Sequence, residues 1–382
     1  MAERYVGLTW DHPRGRLALE AAAPRLAADG IDLEWQVHSL EGFESAPIEQ
    51  LAQRYDLIVL DHPHLGDALA SRCLRPMEEV MGTAFLADVA ERAVGPSLSS
   101  YRLQDQTWAL PLDAATQVSA CRADLVETAP VTWDDAISLS RRAPVALSLS
   151  GPHAYLTFAS ICQSLGSPLA TGVADEVVDS ETGATALAIL AYLADRAPIG
   201  ADTQNPIQLL ERMTTGDDIA YIPLVYGYVG YGDLRRDRPV TFGAGPLGPD
   251  GGHGSTIGGT GIAVTRRAEV TEPLRRHLAW LLEDQTQSTF IPQHQGQPAM
   301  RAAWESDDVN APYGDFYRRT RAAIDDAWIR PRFAGFTPVQ SQMSQVVREG
   351  LSLRKPAQAV LAELTRIQNG VASKSTTEEI AS

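Results

Sequence analysis

The first sixty residues alternate strand-like and helix-like segments, and this order limits the choice of fold more than any other feature. An apolar run at residues 4–10 precedes a helix-forming stretch, PRGRLALEAAAPRLAADG, and two further strand patterns, IDLEWQVHSL and DLIVLD, flank a short helical one, APIEQLAQRY. Such a strand–helix–strand–helix–strand order predicts parallel strands joined by right-handed crossovers. We therefore expect an α/β fold.

Two of these predicted strands end in the same tripeptide. Asp11-His12-Pro13 follows the first strand, and Asp61-His62-Pro63 follows the third. Ligands of open α/β sheets bind outside the carboxyl ends of the strands. Both tripeptides are therefore expected at one edge of the sheet, and Trp10 and Arg14 flank the first with an aromatic face and a positive charge.

The chemistry of the tripeptides alone permits a metal site, an acid–base pair or a ligand-binding rim. Carboxylate and imidazole are common metal ligands, but no HExxH or close histidine spacing is present, so no metal site is predicted. A rim would offer a polar ligand one stacking face, two acceptors and two titratable donors. The alternative is that His12 and His62 are turn caps that bond nearby backbone.

Composition excludes several classes of partner. The 382 residues carry 48 acidic and 32 basic side chains, a net charge of −16 that repels nucleic acid and anionic membranes. Three scattered cysteines predict neither a disulfide framework nor a zinc site, and no apolar run is long enough to enter a membrane. The first residues show no export signal, which predicts a cytoplasmic protein if the chain is complete as written, or a periplasmic or extracellular one if a leader was removed.

Six segments in order resemble one known family. They are YDLIVLDHPHLG, TWALPLDAATQVSACRADLVE, TWDDAISL, NPIQLLERMTTGDDIAYIPLVYGY, GGTGIAV, and GQPAMRAAW followed by RPRFAGFTPVQ. Together they are similar to the extracellular solute-binding proteins of family 1, the receptors of sugar-type ABC importers, from about residue 4 to residue 368. The resemblance implies a two-lobed α/β clamshell of the periplasmic-binding-protein-like type II, with the ligand in a cleft between the lobes.

The resemblance also implies a division of the chain. Lobe 1, a βα sheet domain, is expected at 1–110 plus 258–305. Lobe 2, a helix-rich α/β domain, is expected at 111–257 plus 306–370. The small and polar residues 371–382 predict a disordered tail.

Further candidate ligand residues lie where the chain is expected to cross between lobes and at later strand ends. Tyrosines suit stacking on a sugar face, and glycines bring backbone amides close to a ligand. For each there is a structural alternative: Trp108 as a core aromatic, the tyrosines as packing residues, and the glycines as a tight turn. The candidates are Trp108, Asp113, Thr116, Gln117, Tyr226, Tyr228, Gly258 and Gly259.

Two candidates come from the helix-rich part of the chain. His153 begins a predicted helix after SLSGP and is expected either in the cleft or on the surface. Arg330, in RPRF, is expected either to clamp a carboxylate or sulfonate of the ligand or to form a salt bridge between the lobes.

The leading functional hypothesis is a monomeric, cofactor-free binding protein that captures a small polar solute, carbohydrate-like or a related metabolite, for the permease subunits of an ABC importer. No GxSxG, P-loop, HExxH or SxxK motif supports a hydrolase or an NTPase. The alternative is a cytoplasmic isomerase, lyase or cyclase on the same fold, in which Asp11, His12, Asp61 and His62 act as acid and base.

Overall fold

The computed structural model describes residues 3–28 and 30–381 and divides into two compact units. Unit 1 comprises Met1–Ala114, Gly258–Val309 and Arg332–Thr337. Unit 2 comprises Ala115–Ile257, Asn310–Pro331 and Pro338–Ser382.

The segment Arg332–Thr337 belongs to unit 1, whereas the sequence placed it in lobe 2. The guanidinium of Arg332 donates to the backbone carbonyls of Ser99, Ser100 and Arg102, at 3.1, 2.9 and 2.6 Å. The amide of Gly335 donates to a carboxylate oxygen of Asp67 at 2.7 Å. These long-range bonds leave no local sequence signal, so the predicted division could not include them.

The strands range in length from two residues to the twelve of β6. They are β1 Glu3–Trp10, β2 Ile31–His38, β3 Leu57–Leu60, β4 Arg102–Leu103, β5 Gln106–Thr107, β6 Leu110–Cys121, β7 Tyr221–Tyr226, β8 Thr241–Gly243 and β9 Ile257–Val264.

Helices occupy most of the remaining chain. They are α1 Pro13–Ala28, α2 Leu40–Ser45, α3 Ile48–Ala52, α4 Leu65–Ala70, α5 Met77–Met81, α6 Thr83–Arg92, α7 Trp133–Leu139, α8 His153–Ser164, α9 Ser180–Ala194, α10 Pro206–Thr215, α11 Glu272–Leu281, α12 Ile291–Gln293, α13 Arg301–Glu305, α14 Asp307–Asn310, α15 Phe316–Asp325, α16 Phe336–Ser352 and α17 Ala357–Ala381.

The sheet of unit 1 confirms the predicted parallel core. Strand β1 pairs in parallel with both β2 and β3, and β9 joins β3 in the antiparallel sense. All four residues of β3 are buried, whereas β2 alternates buried and exposed residues, as an edge strand with one solvated face does. Leu8, Ile58 and Leu65 pack with Tyr101 and Trp108 in the core beneath this sheet.

In unit 2, residues 115–121 of the fully buried strand β6 pair antiparallel with β7 and β8. Helix starts that the sequence predicted are present. Thr132 and Asp135 form a capping box at α7, and Asn205 and Gln208 form one at α10, where Pro206 takes the first helical position. Each satisfies backbone donors that a helix start leaves unpaired.

The end of the chain differs from the predicted disordered tail. Helix α17 continues through residues 371–381 to Ala381. Extending an existing helix fixes one residue per hydrogen bond gained, and this stretch contains no proline or glycine to stop it. Composition alone does not show that the residues before this stretch are already helical.

Candidate functional site

The first tripeptide forms a tight turn between β1 and α1. Pro13 is the first residue of α1, where its missing N–H costs nothing. The rings of Trp10 and His12 stack with centroids 5.0 Å apart and an interplanar angle of 8°. A Cβ built on Gly15 would overlap the indole of Trp10, so only glycine allows this stack. Among the described residues the indole N–H of Trp10 has no hydrogen-bond partner.

His12 is held in its neutral form. The backbone N–H of Arg14 donates to Nδ1 of His12 at 3.2 Å, which places the ring proton on Nε2. Burial, reinforced by the charge of Arg14, lowers the pKa of His12 to about 4. An imidazole with this pKa is a weak base at neutral pH, so the ring offers a stacking face and a donor rather than a proton acceptor.

Arg14 and Asp113, both predicted ligand residues, pair with each other. Nε of Arg14 donates to Oδ2 of Asp113 at 2.7 Å, and Nη2 donates to Oδ1. Both side chains are more than nine-tenths buried. A small cavity of about 10 Å³ beside this pair is lined in part by Gly15, Leu112 and Gln297, and it has room for about one water molecule. The fixed positive charge expected here is therefore neutralised.

The second tripeptide is a more buried turn than the first. Asp61 accepts a hydrogen bond from the backbone N–H of His62 at 2.9 Å, and Nδ1 of His62 lies 3.1 Å from the same carboxylate oxygen. The imidazole is fully buried and meets the ring of Tyr101 edge-on at 6.3 Å. Asp11, in contrast, is exposed and pairs with Arg16 at 3.2 Å.

The placement of the two tripeptides at one sheet edge is confirmed. The pairing of β1 with β3 matches Gly7 to Leu57 and Leu8 to Ile58, an offset of 50 residues. Continued along both strands, this register sets Asp11 level with Asp61. The repeated motif is therefore a consequence of two adjacent parallel strands that end together.

Three other predicted ligand residues have partners within their own unit, and their contact with a ligand stays a prediction. Trp108 packs in the core of unit 1, and its indole N–H donates to the carbonyl of Leu103 at 3.0 Å. The hydroxyl of Thr116 bonds the hydroxyl of Ser255 and the carbonyl of Thr256.

Gln117 is fully buried and accepts from Ser160 at 2.6 Å, while its amide donates to Thr157 at 3.3 Å. Buried polar groups must find partners, and those of Thr116 and Gln117 are found within unit 2. Strand β6 is buried on both faces, and its sequence does not distinguish a polar residue bonded within the protein from one that contacts a ligand.

His153 begins a second set of polar groups, in unit 2. It is the first residue of α8, it is 5% exposed, and its ring meets that of Tyr226 at 5.8 Å. Burial, reinforced by the charge of Arg330, lowers the pKa of His153 to about 3. Its Nδ1 atom has no hydrogen-bond partner among the described residues.

Tyr155 and Gln340 belong to the same set and were missed by the sequence reasoning. The hydroxyl of Tyr155 is fully buried, has no partner among residues 3–28 and 30–381, and has its pKa raised by that burial. Gln340 accepts a hydrogen bond from Nη1 of Arg330 at 3.4 Å, and Arg330 is itself 5% exposed. Helix α8 is buried on nearly every face, so its periodicity did not distinguish Tyr155 from a core residue.

The remaining candidates lie near strand ends of both units. Tyr226 is half-buried, with its hydroxyl 3.5 Å from the carbonyl of Ile257, and Tyr228 is largely buried. Gly258 and Gly259 are half-buried residues of β9, and Gly259 has a φ of +92°, which other residues rarely adopt. Their contact with a ligand stays a prediction.

Within the described part of the chain, no group of three or more His, Cys, Asp or Glu side chains is placed to hold a metal ion. Across the same residues, no helix has the length and apolar character that crossing a membrane requires.

Comparison with protein-family models finds no match, and comparison with curated proteins finds none either. Solved structures do match over nearly the whole chain. An ABC-transporter solute-binding protein from Agrobacterium radiobacter K84, in complex with ribitol, is 18% identical with a TM-score of 0.78, and the match covers 96% of this chain and 98% of that one.

The GacH receptor of Streptomyces glaucescens is 15% identical with a TM-score of 0.80, covering 98% of this chain and 99% of that one. Maltose-bound MalE3 of T. maritima is 15% identical with a TM-score of 0.77, covering 96% and 98%. The predicted fold class is thereby confirmed: this chain has the α/β, periplasmic-binding-protein-like type II fold of the sugar-binding proteins of ABC transporters.

Proposed function

We propose that this protein is a solute-binding protein that captures a small polar solute for an ABC importer. The observation that carries the proposal is the fold match, which runs end to end in both chains with TM-scores of 0.77 to 0.80 for these three structures. Because the identities are 15 to 18%, the likeness establishes the fold, and the function is inferred from it.

The polar groups of the chain suit binding. His12, partly exposed and stacked on the buried Trp10, presents a ring at the end of β1. Tyr226, partly exposed and edge-on to the buried His153, presents a second ring in unit 2. Aromatic faces beside fixed polar groups are what polyhydroxylated ligands require. That the solute lies in a cleft between two lobes is a prediction from the sequence resemblance.

The enzyme alternative is not favoured. His12 has a pKa of about 4, because burial and the charge of Arg14 disfavour its protonated form. A general base is most effective when its pKa lies near the working pH. His62 is fully buried beside its own Asp61.

The test is a ligand screen by thermal shift, followed by calorimetry. The panel starts with ribitol, mannitol, maltose and acarbose and extends to sugar acids and amino acids. A true ligand at 100 times its Kd stabilises the protein by about 2.7 kcal/mol, a clear rise in Tm. The His12→Ala variant should weaken binding, whereas Arg235→Ala, at an exposed pair in unit 2, should not. Turnover of a panel compound without measurable binding would contradict the proposal.

The partner and the location follow from the same proposal. We expect a monomer that works on the periplasmic or extracellular side and delivers its solute to permease subunits. Ligand-loaded protein should stimulate the ATPase activity of its importer in proteoliposomes, and fractionation should recover the protein outside the cytoplasm. Recovery in the cytoplasm would contradict the transport role and leave the binding activity to be explained separately.

A further inference from the structure

Two arginines meet at one tyrosine on the surface of unit 2. Tyr192 lies in the last turn of α9, and its hydroxyl accepts a hydrogen bond from Nε of Arg141 at 2.9 Å. The guanidinium carbon of Arg196 lies over the same ring, 3.8 Å from its centroid, and that of Arg141 lies 5.7 Å from it. These three residues form the Tyr192 cluster, in which both arginines are exposed and the tyrosine is half-buried.

The positive charge of the Tyr192 cluster is not balanced by the chain. Neither Arg141 nor Arg196 forms an ion pair with a carboxylate of the described residues. Asp195, which precedes Arg196, pairs with Arg354 at 3.3 Å instead. Arg142, which follows Arg141, is exposed and adds a further positive charge. A chain with a net charge of −16 therefore keeps a locally positive surface here.

The hydrogen-bonding groups that the Tyr192 cluster leaves available are donors. Arg141 uses Nε for the hydroxyl of Tyr192, and Arg196 uses Nη1 for the carbonyl of Tyr192 at 3.1 Å. Because a guanidinium has several further N–H groups, each arginine can still donate to a ligand. The hydroxyl of Tyr192 accepts from Arg141, so its own O–H is also available to donate, and no acceptor for it is found among the described residues.

Helix capping accounts for only part of this arrangement. Arg196 follows the end of α9, where a positive charge is favourable beside the last carbonyl groups of a helix. Capping needs one cation, however, and Arg141 comes from the segment after another helix, α7. Two positive charges beside one ring repel each other, and an anion bound between them would remove that repulsion. The cluster is therefore suited to an oxyanion.

We propose that Arg141, Arg196 and the hydroxyl of Tyr192 bind a phosphate group, carried by a soluble phosphate ester or by a lipid headgroup. A phosphate monoester carries nearly two negative charges and three acceptor oxygens, so it matches two guanidinium groups better than a carboxylate does. The net charge of −16 acts weakly on this site, since salt screens charges beyond about 8 Å. The site is independent of the proposed solute binding, because none of its residues is a predicted solute contact.

The experiment measures the binding of inorganic phosphate, glycerol 3-phosphate and acetate by calorimetry, at neutral pH and matched ionic strength. A second arm measures co-sedimentation with vesicles of phosphatidylcholine, alone or with one-fifth phosphatidic acid. Preference for the soluble phosphates over acetate by about 10-fold indicates a soluble ligand, as one added bond to a charged group does. Preference for the phosphatidic acid vesicles alone indicates a lipid headgroup. Equal binding of phosphate and acetate, with equal sedimentation by both kinds of vesicle, would overturn the proposal.

Substitutions test the assignment of residues. Arg141→Gln and Arg196→Gln should each weaken phosphate binding about 10-fold, and Tyr192→Phe, which keeps the ring, should weaken it less. Arg235→Gln is the matched control, because Arg235 is an exposed arginine of the same unit that pairs with Asp233 at 2.6 Å, and it should leave the phosphate affinity unchanged. If Arg196→Gln lowers the Tm but neither arginine variant changes the phosphate affinity, the cluster only caps a helix and the proposal is wrong. Equal losses in the cluster variants and in Arg235→Gln would also overturn it, since binding would then follow total charge.

Discussion

The sheet edge of unit 1 and the start of helix α8 in unit 2 both carry buried polar groups, and they differ in which of these groups the chain itself bonds. In unit 1, Arg14 is bonded to Asp113, and Nδ1 of His12 accepts from the chain itself. In unit 2, Tyr155 and His153 keep atoms without partners in the described chain. At the sheet edge the indole N–H of Trp10 lacks a partner among the described residues, whereas at the start of helix α8 a hydroxyl and an imidazole nitrogen lack one.

The largest expected effect concerns the ion pair of unit 1. Arg14→Ala leaves the carboxylate of Asp113 buried without its cation, so the free energy of unfolding in urea should fall by about 3–5 kcal/mol. Arg4→Ala is the control, because Arg4 pairs with Asp32 and Glu34 while its side chain is 69% exposed, and it should cost at most about 1 kcal/mol. Similar losses in the two variants would show that the buried pair contributes no more than an exposed one.

The stacked rings of Trp10 and His12 depend on the missing side chain at Gly15. Gly15→Ala forces a methyl group into the indole and should cost about 1–3 kcal/mol, with a change in tryptophan fluorescence. Gly230→Ala meets no atom within 4 Å and serves as the control. Unchanged tryptophan fluorescence in the Gly15→Ala variant would show that the stacked rings accommodate a methyl group at position 15.

The hydrogen bonds of the buried Gln117 with Ser160 and Thr157 in unit 2 should contribute as much to stability as Gly15→Ala costs, or slightly less. Ser160→Ala removes the donor to the buried Oε1 atom of Gln117 and should lower the free energy of unfolding by about 1–3 kcal/mol. Ser352→Ala, an exposed helical serine, should change it by less than about 0.5 kcal/mol. If Ser160→Ala has no effect while Tyr155→Phe destabilises the protein, the contrast between satisfied and unsatisfied groups is wrong.

The buried histidines predict a pH dependence. Burial lowers the pKa of His153 to about 3 and that of His12 to about 4, below the ordinary 6.5, so the unfolded chain binds more protons on the acid side. Their contribution to stability is complete above pH 6.5 and is lost as the pH falls. From pH 7.5 to 5.5 the loss for His153 is about 1.4 kcal/mol.

Urea unfolding at the two pH values measures this dependence, and His153→Gln should reduce it. If the free energy of unfolding of His153→Gln depends on pH as that of the original protein does, a group other than His153 titrates.

Local patterns predicted much of the fold. The apolar run of β3, the alternation in β2 and the caps at Thr132 and Asn205 all lie within a few residues of the elements they specify. The edge position of Asp11 and Asp61 also followed, because the carboxyl ends of neighbouring parallel strands lie at the same edge of a sheet. The assignment of Arg332–Thr337 to unit 1 did not follow, since its partners are more than 200 residues away.

The sequence therefore determined the features whose causes lie within a few residues: the strands, the helix caps and the turns that carry Asp-His-Pro. Only the tertiary structure could show that Arg14 is neutralised by Asp113, a partner 99 residues away, while the hydroxyl of Tyr155 has no partner in the described chain. The charge and hydrogen-bonding capacity of a buried side chain depend on which distant groups the fold brings within about 3 Å of it.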